Sequence, residues 1–157
     1  MTSPLVAAWS MSNEANLFLL KHIKPAWLGD RYGARTRTVA AQFSHMHNVR
    51  VWWLEVMAKP LAEGLEAFPR GAEPDKTELR KALVASEKGV AKLFAGADPE
   101  GGLKQWNGPP ATFLGYLVAH EGHHRGLAMV ALRAAGRKPG TGVVQGQWDW
   151  GKRHSAR

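Results

Sequence analysis

Cysteine is absent from this chain. That excludes disulfides, zinc held by thiolates and a cysteine nucleophile, so stability has to come from packing and any thiol chemistry from a thiol supplied from outside. No apolar run approaches the roughly 20 residues that span a bilayer. The N-terminus also lacks the basic-then-apolar layout of a secretory signal, so a cytoplasmic protein with no membrane partner is expected. Acidic residues are few: 13 against 21 lysines and arginines give a formal charge of +8. A balance this basic raises nucleic acid as a partner. The basic residues are read as dispersed, however, with the densest group at the tail (Lys152, Arg153, His154, Arg157), and no nucleic-acid motif accompanies them. We therefore expect no specific nucleic acid, and attraction of an anionic small-molecule substrate is an equally good reading of the charge. Internal repeats and interdomain linkers are missing too, so residues 1–157 are expected to form a single domain.

What is present is helical periodicity. Four blocks carry apolar residues at three- and four-residue steps. The first runs from about Asn13 to His22, before Pro25, and the second from roughly Thr36 to Met57, before Pro60. The third opens at Asp75, with Glu78 three residues on as a capping-box partner, and reaches about Ala95. The fourth follows Pro109-Pro110 and stops at Gly136. Such blocks predict an all-α fold, an antiparallel four-helix bundle, whose core is a common place for a metal held by facing helices. The apolar character of the helices around much of their circumference also makes a homodimer the expected assembly.

The densest chemistry is His120-Glu121-Gly122-His123-His124-Arg125-Gly126. Residues four apart share a helix face, so His120 and His124 can direct two nitrogens at one ion, whereas His123 turns toward a neighbour or water. Two ligands leave a metal under-coordinated, and the second helix offers His45 and His47. These diverge by about 200° round the helix, so one ion takes only one of them. Periodicity does not choose between the two. Three imidazoles with a vacant position suit a catalytic site rather than a structural one. Glu121 is a candidate base or a partner for a ligand's second nitrogen, and Arg50 and Arg125 are candidates for holding an anion, each with a surface charge or salt bridge as the plainer alternative. His120 to His124 also matches H-E-x-x-H of zinc proteases. Against that, Leu127 stands where the extended motif needs glycine, and no strand precedes the helix to present a peptide.

A histidine-methionine pair leading into a tryptophan-rich helix end (His45 to Trp53), followed by His-x-x-x-His-Arg-Gly (His120 to Gly126), resembles the DinB/YfiT-like superfamily of metal-binding four-helix bundles. The resemblance covers about Asn13 to Ala135. It implies His45, His120 and His124 as metal ligands, because the family's first ligand precedes an apolar residue, as His45 precedes Met46. It further implies a divalent ion, Zn²⁺ or Ni²⁺, and either a transferase using a low-molecular-weight thiol or a hydrolase; a metal-binding or interaction module without catalysis is the third class. The additional His47 and His123, and Trp148 and Trp150 near the end, have no counterpart in the family pattern.

Overall fold

The computed structural model describes residues 3–155, with side chains through residue 152. Four long helices dominate: α1 (Pro4–His22), α2 (Val39–Ala58), α3 (Lys76–Ala95) and α4 (Pro110–Ala134), followed by two short ones, α5 (Thr141–Gly146) and α6 (Trp150–Ser155). Among the described residues the nearest approach to a sheet is one isolated bridge between Leu103 and Trp106.

The helix boundaries follow from their end residues. Asp75 accepts from the backbone of Thr77 and Glu78 while Glu78 reaches back to the Asp75 amide, a complete capping box. Thr38 caps α2 through a bond from Ala41 N at 3.1 Å. α4 ends in a Schellman motif: Gly136 takes φ 73°, Arg137 N bonds Leu132 O at 2.8 Å and Gly136 N bonds Arg133 O at 3.0 Å. α1 starts well before the expected Asn13, at Pro4, because Ser3-Pro4 is itself a helix start with proline in the first turn. The added turns bury Trp9 completely, its indole N–H donating to Glu87 O at 3.1 Å.

Each long helix packs on two others: α1 on α3 and α4, α2 on α3 and α4. The core falls into two apolar halves. Leu19, Leu20, Phe43, Met46, Leu79, Leu83, Ala128 and Leu132 belong to one, and Trp9, Leu54, Met57, Val90, Phe94, Phe113 and Leu117 to the other. The order in which each helix crosses them gives its direction. α1 and α4 run one way and α2 and α3 the other, so α1/α3 and α2/α4 are antiparallel neighbours while α2/α3 and α1/α4 are parallel ones. Parallel neighbours need a long crossover, which the chain between α2 and α3 supplies.

Between the halves lies a buried polar layer drawn from all four helices: Asn13, Asn16, Arg50, Ser86 and Glu121. Arg50 Nε bonds Glu121 Oε1 at 2.6 Å and its Nη2 bonds Glu121 Oε2 at 2.9 Å, with Asn13 Oδ1 and Leu83 O taking further donors. Asn16 Nδ2 donates to Glu121 Oε2 at 2.6 Å, and Arg50 lies over the Trp9 ring. Every charge in the layer is thereby paired, the condition for keeping charge inside a protein.

Candidate metal centre

His45 on α2 and His120 and His124 on α4 meet where these helices pack. One nitrogen from each ring lies within 4.8 Å of the other two, and among the described residues no other histidine, cysteine or carboxylate joins them. His120 Nε2 and His124 Nε2 are 3.2 Å apart. Two nitrogens bonded to one tetrahedral zinc at about 2.0–2.1 Å lie roughly 3.3 Å from each other, so the pair stands at ligand separation. A proton shared between the two rings would satisfy the same distance, but it leaves His45 without a part.

The remaining ring nitrogens say which atoms face the centre. His124 Nδ1 is 2.7 Å from Gln42 Oε1, an acceptor, so Nδ1 carries the proton and Nε2 presents its lone pair inward. Gln42 sits one helical turn before His45 on α2, so the two helices that supply ligands also supply the group that orients one of them. His120 Nδ1 is buried without a partner, and the ring stacks on Tyr116, centroids 5.8 Å apart. Proton affinity is low throughout. Burial, then Arg37 and His120, lower His45 to about 4, and burial, then His120 and His45, lower His124 to about 3. His120 is lowered as well, chiefly by burial, with Glu121 opposing. Near neutral pH the three rings are therefore uncharged and able to donate to a cation. This donor set fits Zn²⁺ or Ni²⁺.

The alternative ligand, His47, is elsewhere. Its position two residues from His45 turns it toward α3, where Nε2 lies 2.9 Å from Glu66 O and Nδ1 3.1 Å from Ser86 Oγ. Both nitrogens are engaged with protein atoms there, so His47 ties α2 to α3 and to the chain before it. His123 is exposed, as its place on the helix required.

Glu121 was a candidate base, yet both its oxygens are taken by Arg50 and Asn16 in the polar layer, and the side chain is only 1% exposed. That geometry fits a structural counter-ion better than a base. It also removes the basis of the zinc-protease match, whose glutamate must reach metal-bound water. Arg50 is equally committed, and Arg125 donates to Asn16 Oδ1 at 2.6 Å. Neither stands free to hold an anion.

Sequence reasoning missed Gln42, Tyr116 and Arg37. Gln42 had a partial signal, its helical register with His45, but its pairing with a residue 82 positions away had none. Arg37 belongs to a second basic group, nearly as dense as the tail: Arg31, Arg35 and Arg37 lie within seven residues. Of the tail, Lys152 pairs with Asp149 at 3.2 Å, and the side chains of Arg153, His154 and Arg157 lie outside the described residues.

An all-α fold with three convergent imidazoles on facing helices defines a helical protein able to hold a metal ion. The DinB family model matches residues 1–150, and the chain belongs to the DinB family. No curated protein matches, and neither does any solved structure. Among the described residues no helix is long and apolar enough to cross a membrane.

Proposed function

We propose that this protein is a divalent-metal-dependent enzyme that holds Zn²⁺ or Ni²⁺ through His45, His120 and His124 and transfers a group to or from a low-molecular-weight thiol. The observation that carries the proposal is the convergence of three imidazoles from two helices with no fourth protein ligand among the described residues. When bound, the ion lowers the pKa of a thiol or water beside it, so that a nucleophile forms near neutral pH. The chain holds no cysteine, so the thiol must be a cosubstrate. In the transfer its sulfur gives up a proton, bonds the electrophilic atom, and the leaving group departs with the electron pair.

The protein's own part is binding and orientation. Gln42 fixes His124, Tyr116 covers His120, and the Arg50–Glu121 pair locks α2 against α4 beside the ligands, Glu121 being next to His120. Hydrolysis is the second reading, and it follows from the same arrangement with water in place of the thiol. The enzyme acts in the cytoplasm on a small-molecule substrate, without nucleic acid, as a homodimer; sedimentation velocity yielding only monomer would remove the last point.

Metal analysis of wild type beside His124→Ala tests the site. Close to one equivalent in the wild type and a near-complete loss in the variant, with helicity retained by circular dichroism, is the expected result. Equal metal in both overturns the ligand assignment. Metal-loaded protein inert toward every thiol-plus-electrophile pair and every hydrolysable ester tried would leave a metal-binding module instead of an enzyme.

A further inference from the structure

Beside the triad runs a groove of about 800 Å³, walled by the chain before α2, the chain before α3 and the face of α2 that carries His45. Arg31, Arg35, Arg37 and Arg70 line it, against the single carboxylate of Glu73. All four arginines are exposed, and none has an ion pair or hydrogen bond among the described residues. Four guanidinium groups facing one carboxylate in one concavity repel each other, and no bond they make to the protein among the described residues offsets that repulsion. A ligand of opposite charge does.

Both walls are held in place. Asn48 on α2 makes paired bonds with the Phe68 backbone, donating to its O at 2.8 Å and accepting from its N at 2.9 Å, which fixes the segment that carries Arg70. Asp30, at the root of the other wall, pairs with Arg137 at 2.9 Å, and Thr36 closes a turn on Gly33 through its hydroxyl and its amide. The first amides of α2 are already used by Asp30 O, Leu28 O and Thr38 Oγ1. Anion recognition therefore falls to the arginine side chains.

We propose that this groove binds a small molecule bearing two or more carboxylate or phosphate groups and presents it to the triad through the His45 wall. It deepens the metal-enzyme proposal by naming the substrate or cosubstrate class, and it depends on that proposal only for the reaction at the triad. Arg37 stands at the junction, since it lines the same groove as His45. A groove walled by two anchored segments suits a small molecule better than a nucleic-acid backbone, which needs cations strung along an open surface.

The test is titration of full-length protein, zinc-loaded and zinc-free, with tricarballylate, fructose 1,6-bisphosphate and the uncharged triamide of tricarballylate, followed by the arginine Nε–Hε signals in NMR. Saturable binding of at least one anion and none of the triamide is expected, with affinity falling about tenfold in Arg37→Gln and again in Arg70→Gln, as for loss of one charge-assisted contact each. The same binding should persist in His124→Ala, which separates this proposal from the metal site: an arginine-dependent site in a protein that holds no metal would refute the ligand assignment alone. Equal affinity in the Arg37→Gln/Arg70→Gln protein overturns the groove proposal, as does a short DNA duplex that competes with the anions at these arginines and binds more tightly than either.

Discussion

Replacing Glu121 by glutamine removes one charge from the centre of the bundle and almost no volume. Arg50 then keeps Asn13 Oδ1, Leu83 O and Ser86 Oγ as acceptors but loses the carboxylate that neutralises it at 2.6 Å, in a place where its side chain has no exposure to water. Breaking a buried ion pair by removing one partner costs about 3–5 kcal/mol, because the remaining charge is left uncompensated. For a domain of this size each kcal/mol moves the melting temperature by about 2–4 °C, so Glu121→Gln should melt about 10 °C below wild type. Differential scanning calorimetry and urea titration measure the loss. Zinc content, measured well below the transition, should stay near that of wild type, because no ligand has changed. Removing both partners as Arg50→Met/Glu121→Leu should recover much of the stability, since an apolar pair of similar volume has no charge to strand. A Glu121→Gln protein as stable as wild type that holds zinc yet loses turnover would refute the reasoning and restore Glu121 as a base.

Two further outcomes follow from the centre itself. Gln42→Ala frees His124 Nδ1 from its acceptor, and competition against a chelator should show metal affinity reduced about 10–100-fold with the fold intact; unchanged affinity would mean the ring is held by its neighbours alone. Lowered proton affinity at His45 and His124, to about 4 and about 3, means that the unfolded chain takes up protons near pH 6.5 while the folded one does not. Stability of the metal-free protein should therefore be flat above that pH and fall as pH decreases, by about 1 kcal/mol per histidine between pH 6 and pH 5. Urea denaturation across that range checks it, and a stability that rises toward pH 5 would contradict the burial of these rings.

The sequence by itself determined whatever depends on local order. Helical spacing and end signals placed α3 and α4 to within a residue or so, because a capping box and a proline start are local bonds and local sterics. Register placed His120 and His124 on one face and turned His123 away, since four residues make nearly a full turn wherever a helix lies. The choice between His45 and His47 was tertiary. Both flank the same apolar stripe, and only the position of α3, which supplies Ser86 and stands across from the triad, decided which imidazole faces α4. Glu121 shows the same boundary from the other side. Its place next to His120 suggested chemistry, but a glutamate's partner is set by whatever helix packs opposite, and here that partner is Arg50, 71 residues away. The groove is tertiary for the same reason: Arg31, Arg35 and Arg37 precede α2 and Arg70 precedes α3, and repelling charges come together only where packed helices hold their two segments side by side.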